Sequence, residues 1–291
     1  MEEGVSAAAR IALLGCLLAG LIAAGCGNSR APSGGKSNKI VTLTPSSTEL
    51  VAALGAADRL VGVDDYSVSP PEVSRLPRVG TFLRPNPEAI VRLQPDLVVA
   101  DDIHKEAAEA LRGAGIDTLL LPMHRLTDLR AAFLTLGARL GHPEIAEART
   151  RAIDDAIAAA RARRVGADLR VLIVIDREPG GLGNMIGAAD GTWMDELVAT
   201  TGARNVLAGS PVRYPKISAE EIVRGRPDVI LDVSYAADPA GALATWRALP
   251  DVPAVARGRV RVLKQPYFLG PSPRIAEALA DLEAALAPPP P

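Results

Sequence analysis

The chain has 291 residues, with 32 basic against 34 acidic side chains for a formal charge of −2, 48% hydrophobic residues and only 3% aromatics. So even a balance lacks the basic excess that nucleic-acid binding requires, and the hydrophobic share is that of an ordinary globular chain. With aromatics this sparse, the place of each one is informative.

Residues 1–25 read as an export signal. Arg10 precedes an apolar run from Ile11 to Ala24, which ends in Ala23-Ala24-Gly25-Cys26. The run is about 15 residues, short of the ~20 that a membrane-crossing helix needs. The residues around Cys26 resemble a bacterial lipobox, with Ala23 where leucine is preferred, and this implies lipidation of Cys26 and anchoring to a membrane outside the cytoplasm. The two cysteines are Cys16 and Cys26; loss of the first with the signal leaves no disulfide. Removing Glu2, Glu3 and Arg10 leaves 31 basic against 32 acidic residues, a charge of −1. Residues 26–38 are rich in Gly, Ser, Asn and Pro, a composition that buries too little apolar surface to order itself, so they read as a flexible tether.

About 250 residues follow, enough for two lobes. Short apolar runs at Ile40–Leu43, Leu60–Val63, Asp96–Ala100 and Thr118–Leu121 alternate with helical stretches such as Lys105–Ala114. Strands that are apolar nearly throughout suit a parallel sheet covered on both faces. The chain then turns helical. Leu126–Leu140 reads as one helix, Gly141-His142-Pro143 breaks it, and Glu144–Arg164 reads as another, about 30 Å long at 1.5 Å per residue. Strand-like runs return at Val171–Ile175, Asp228–Val233 and Val260–Leu263, followed by a last helix from Pro273 to about Leu286. The expected fold class is therefore α/β, two Rossmann-like lobes with parallel sheets joined by a single long helix. The expected boundaries are 1–25 for the signal, 26–38 for the tether, 39–125 for the N-terminal lobe, 126–168 for the helical connector and 169–291 for the C-terminal lobe.

An internal repeat supports two lobes of one topology. Residues 86–101, Asn-Pro-Glu-Ala-Ile-Val-Arg-Leu-Gln-Pro-Asp-Leu-Val-Val-Ala-Asp, align without gaps on residues 218–233, Ser-Ala-Glu-Glu-Ile-Val-Arg-Gly-Arg-Pro-Asp-Val-Ile-Leu-Asp-Val, with six of the sixteen positions identical. Each copy reads as cap residue, short helix, Pro-Asp turn and buried strand.

The segment Ile40 to Glu49, Val61-Gly62-Val63, Tyr66 with Pro70-Pro71, the first repeat from Asn86 to Val98, Ser218 to Glu221 and Ser272 to Ile275 together resemble the cobalamin and iron-siderophore binding proteins of ABC importers. The resemblance spans nearly all of Lys39 to Leu286. It implies that a metal chelate, corrinoid or ferric siderophore, is held between two lobes and delivered to a permease and its ATPase. It also implies a monomer that carries cargo without being an enzyme, with no cofactor of its own. Glu88 and Glu220 match the positions that dock on the permease. At the second helical position a glutamate is also stabilised by the helix N-terminus, by about 0.3–1 kcal/mol. Glu221, three residues after Ser218, fits a capping box instead.

Chelate binding calls for aromatic faces with a few fixed polar groups. Tyr66, Phe82, Tyr214, Tyr267 and Phe268 all fall in expected loops, and the first four match cleft-facing positions of the family. Arg84, Arg177 and Arg213 occupy similar loops and offer a fork of donors for an acidic ligand group. Trp193 and Met194 open a helix and read as lobe packing. Pro266 and Gly270 stand where cobalamin binders of the family can carry an acid and an arginine, and Phe82 cannot ligate haem iron as a tyrosine would.

Rival classes fit less well. No Gly-x-Gly-x-x-Gly follows any expected strand, which disfavours a dinucleotide-dependent enzyme. No nucleophile motif accompanies His104, His124 or His142, which disfavours a secreted hydrolase, and their wide spacing gives little support to a direct metal site. A receptor-coupled sensor of the same fold is the remaining alternative; two matched docking acids favour transport.

Overall fold

The computed structural model describes residues 38–234, 239–268 and 270–288. The expected export signal, Cys26 and the tether up to Ser37 lie outside the described residues.

The N-terminal lobe runs β1 (Ile40–Thr42), α1 (Pro45–Ala53), β2 (Leu60–Gly62), β3 (Gly80–Thr81), β4 (Arg84–Pro85), α2 (Pro87–Leu93), β5 (Leu97–Ala100), α3 (Lys105–Gly113) and β6 (Thr118–Leu120). Its main sheet has the order β2-β1-β5-β6 and every pairing is parallel. All four residues of β5 are buried, as a strand covered on both faces requires. Helix α1 starts where Thr44 accepts a hydrogen bond from the Ser47 amide at 3.0 Å, with Pro45 in the first turn.

Two helices follow, α4 (Leu126–Leu140) and α5 (Pro143–Arg163). Gly141, at φ +79°, ends the first in the left-handed region that favours glycine. The two helices cross closely at Gly137, where an added Cβ would sit 2.4 Å from the Ala146 Cβ. Helix α5 has 21 residues, about 31 Å of rigid rod, and leads into the second lobe.

The C-terminal lobe runs β7 (Arg170–Asp176), β8 (Met185–Gly187), α6 (Trp193–Thr200), β9 (Arg204–Asn205), β10 (Lys216–Ile217), α7 (Ala219–Gly225), β11 (Val229–Asp232), α8 (Pro239–Trp246), α9 (Pro253–Ala256), β12 (Val260–Val262) and α10 (Ile275–Leu286). The order is β10-β8-β7-β11-β12, with β9 also on β7. Its centre is parallel as expected. Strand β8 is antiparallel to both neighbours, because the Gly-rich loop after β7 turns the chain straight back alongside it. The last helix begins at Ile275, two residues past the expected Pro273.

The repeat is structural as well as textual. Asn86 caps α2 by accepting from the Ala89 amide at 3.1 Å, and Ser218 caps α7 by accepting from the Glu221 amide at 3.2 Å. Both helices end in a left-handed residue, Gln94 at φ 49° and Arg226 at φ 45°. The Pro-Asp turn then has a purpose common to both lobes. Asp96 accepts from the Asn38 and Lys39 amides at 3.0 Å, and Asp228 accepts from the Arg170 amide at 3.1 Å, so each aspartate secures the start of the parallel strand beside it.

The lobes share one hydrophobic cluster that extends from Ile40 and Leu50 through Phe133 and Leu136 to Leu279 and Leu282. Polar contacts reinforce it. Glu196 accepts from Arg125 Nε and from the Leu126 amide, both at 2.7 Å, and Ser272 donates to Glu49 across the lobes. Burial raises the Glu49 carboxyl above its ordinary range of 4.5, and the hydrogen bond from Ser272, the charge of Arg274 and the bond from Ser69 do not cancel that effect. With the folded value above the unfolded one, this group favours folding at pH below about 4.5, and its contribution is lost as pH rises through the folded value. Glu49→Gln is expected to remove that loss, so the thermal midpoint of the variant should gain on the wild type as pH rises above 4.5. Parallel midpoint-against-pH curves would contradict this.

Candidate functional site

A cavity of about 700 Å³ opens between the lobes, lined from both sides. The ends of parallel strands supply much of it, as expected where open α/β sheets bind ligands. From the N-terminal lobe come Tyr66, Phe82 and Leu83, with Thr44 and Ser46 at the start of α1 and Asp101 after β5. From the C-terminal lobe come Trp193 and Met194 at the start of α6, with Tyr214, Val233 and Phe268.

Each aromatic is set by local structure. Phe82 is at the tip of the β3–β4 hairpin, whose close turn needs Gly80: at φ +102° an added Cβ would lie 2.5 Å from the Arg84 carbonyl. Behind it, buried His104 accepts from the Asp101 amide through Nδ1 at 3.1 Å, which leaves Nε2 to donate to the Phe82 carbonyl at 2.6 Å. The His104 and Phe82 rings meet edge to face, with centroids 5.6 Å apart. Tyr66 is held at its backbone by Asp64, which accepts from the Tyr66 amide at 2.9 Å. Arg78 Nη1 braces the same loop, donating to the carbonyls of Asp64 at 2.8 Å and Ser67 at 2.7 Å. Trp193 is fixed across the lobes, its amide donating to the His124 carbonyl at 2.6 Å.

Three of the expected ligand contacts, Tyr66, Phe82 and Tyr214, thus meet at one cavity, and Trp193, Met194 and Phe268 join them there. Arg84 and Arg213 are exposed and are not part of its lining. Arg177 and Tyr267 stand elsewhere. The Arg177 side chain is 1% exposed because it neutralises the fully buried Asp232, with Nε donating to Oδ2 at 2.9 Å. Tyr267 donates to Asp281 within the second lobe, and the Arg274 guanidinium lies 4.4 Å from its ring centroid. Burial, followed by the bond to Asp281, pushes the Tyr267 hydroxyl up to about 12. Its neighbour Phe268 takes the place at the cavity; sequence alone does not say which of two adjacent aromatics in a tight turn points inward.

The polar groups of the wall are hydroxyls, a carboxyl, an imidazole and an indole. Among the described lining residues there is no Lys or Arg. Asp101 and His124 both line the cavity, and His124 Nε2 is 2.9 Å from Asp102 Oδ1. Burial, then the hydrogen bond and charge of Asp102, pushes the Asp101 carboxyl up to about 7. That bond holds Asp102 below the ordinary carboxylate range.

Away from the cavity, Glu88 and Glu220 occupy equivalent positions at the starts of α2 and α7. Both are exposed, the Glu220 side chain 81% so, with Arg224 one turn on donating to it at 2.8 Å. Glu221 closes the capping box with Ser218 and is occupied by it.

The family described as periplasmic binding protein matches residues 40–267. The vitamin B12-binding protein of Salmonella typhimurium is 29% identical over 251 residues, which is 85% of this chain and 90% of the relative. Among solved structures, the periplasmic heme-binding protein RhuT from Roseiflexus sp. RS-1 has a TM-score of 0.77 at 30% identity, covering 86% of this chain and 98% of that one. The periplasmic vitamin B12 binding protein BtuF of Vibrio cholerae has a TM-score of 0.74 at 26% identity, covering 86% and 97%.

Proposed function

The chain belongs to the periplasmic binding protein family, and from that premise we propose that it is the substrate-binding component of an ABC importer whose cargo is a corrinoid of the cobalamin type. The observation that supports this ligand is the composition of the cavity wall. Tyr66, Phe82, Trp193, Tyr214 and Phe268 offer apolar faces from both lobes, while the described lining residues include carboxylate, imidazole and hydroxyl groups and no cation. A corrin ring presents a broad apolar face edged by neutral amides, whose N–H groups suit such acceptors. Haem presents two carboxylates, and the described lining residues include no Lys or Arg to pair with them.

The protein captures cargo and performs no chemistry on it. Glu88 and Glu220 are the docking points for the permease, one on each lobe. The signal-like residues 1–25 and the lipobox-like residues ending at Cys26 support export and a lipid anchor outside the cytoplasm. No helix among the described residues is long and apolar enough to cross a membrane.

Titration of the purified protein with cyanocobalamin, followed by Trp193 fluorescence and calorimetry, tests the ligand reading. Wild type is expected to bind one equivalent, and Tyr66→Ala or Tyr214→Ala to lose about 2 kcal/mol, roughly 30-fold in Kd, as for a stacked aromatic in the centre of an interface. Unchanged affinity in both variants would place the ligand elsewhere.

A further inference from the structure

Adjacent strand ends bring three metal-ligating side chains to one point of the cavity wall. Strand β5 ends at Ala100 and is followed at once by Asp101 and Asp102, while its parallel neighbour β6 leads through Leu121, Pro122 and Met123 to His124. One donor atom from each of Asp101, Asp102 and His124 lies within 4.8 Å of the other two. The three are held before any ligand arrives. Asp101 accepts from the Ile103 amide at 3.3 Å and is 6% exposed. The His124 amide donates to Asp128 at 3.0 Å and its carbonyl accepts from Trp193, so both backbone groups of this residue are fixed. The nearby His104 is not a fourth donor, because the Asp101 amide and the Phe82 carbonyl occupy both of its ring nitrogens.

Two carboxylates and an imidazole thus converge at the wall of a large cavity. We infer that the cleft binds a divalent transition-metal ion of the zinc class directly, through one oxygen each of Asp101 and Asp102 and a ring nitrogen of His124. Mixed nitrogen and oxygen donors suit borderline ions; Ca²⁺ takes six to eight oxygens, and Mg²⁺ an octahedron of oxygens. Metal–donor distances of about 2.0–2.2 Å put donors roughly 3–3.5 Å apart, close to the 2.9 Å that already separates His124 Nε2 from Asp102 Oδ1. Three protein donors leave at least one coordination position open, and the placement of Asp101 and His124 turns it toward the cavity, where water or a small chelator completes the shell. The site therefore accepts an ion that is bare or only partly chelated, a cargo class distinct from a macrocycle that encloses its metal.

The inference stands apart from corrinoid binding, and its test uses no corrinoid. Protein stripped of metal is titrated with Zn²⁺ by calorimetry and with Co²⁺ by visible absorption. One equivalent of Zn²⁺ and a Co²⁺ spectrum showing nitrogen ligation are expected. Asp102→Asn and His124→Ala should each weaken binding by roughly 10-fold or more, while His142→Ala, on the far histidine paired with Arg59, should not. Thermal midpoints show whether each variant is folded. The Asp102 side chain is 29% exposed, so its replacement keeps the test available should His124→Ala not fold. Absence of a saturable equivalent in the wild type, or undiminished binding in the folded variants, overturns the inference.

Discussion

Reversing both proposed docking charges, Glu88→Arg with Glu220→Arg, is expected to abolish import while cobalamin binding by the free protein stays unchanged. The two glutamates are exposed, stand at equivalent points of the repeated unit and are not part of the cavity lining. Neither supports the fold. Asn86 and Ser218 provide the caps, and the bond from Arg224 to Glu220 is a surface pair of little energetic consequence. A charge removed from a paired interface position costs about 2–5 kcal/mol, and reversal adds repulsion. Each reversal alone should therefore weaken docking by more than tenfold, and the pair should reduce uptake to background. Uptake of labelled cobalamin in cells lacking their own binding protein gives the first readout and calorimetry the second. Normal uptake by the double variant would remove these residues from docking.

The largest stability effect is expected at Asp232. It is fully buried and accepts from Arg177 Nε at 2.9 Å, from Trp246 Nε1 at 2.8 Å, and from the amide of Ser234 at 3.1 Å as well as its hydroxyl. Arg177 also donates to the Gly181 carbonyl at 3.1 Å, so one carboxylate ties together the end of β7, the glycine-rich loop after it, β11 and α8. Asp232→Ala leaves the guanidinium buried without its counter-charge, at a cost of about 3–5 kcal/mol. Replacing Arg177 and Asp232 together, with Met and Leu, should cost less, because it strands no charge and leaves only the neutral donors Trp246 Nε1 and Ser234 without their acceptor. Urea unfolding of the three proteins checks this. Equal losses for the single and the double variant would contradict it.

What the sequence revealed follows from what is local. The repeat was legible because capping, the left-handed helix end and the Pro-Asp turn are all short-range devices, and Asp96 and Asp228 repeat one function at one spacing. Tyr66, Phe82 and Tyr214 stand out among five loop aromatics only with the family resemblance, which singles out Tyr267 as well, and the structure places Phe268 at the cavity in its stead. The rest depends on which strands become neighbours. Asp102 and His124 are 22 residues apart and Arg177 and Asp232 are 55 apart; only the parallel pairings β5–β6 and β7–β11 bring them together. A loop arginine that follows a strand can turn toward solvent, cleft or core, and Arg177 turns to the core because Asp232 is there. Strand β8 leaves no mark in the sequence, because three residues after a glycine-rich loop carry no periodicity of their own.

With no Lys or Arg among its described lining residues, the wall of this cleft is proposed to favour a neutral, amide-edged ring over an acidic one. Competition between cyanocobalamin and haem for the purified wild-type protein tests it most directly. Cobalamin binding at one equivalent, with haem at least tenfold weaker, is the predicted result; haem bound as tightly or more tightly, or no binding of cobalamin, would contradict it.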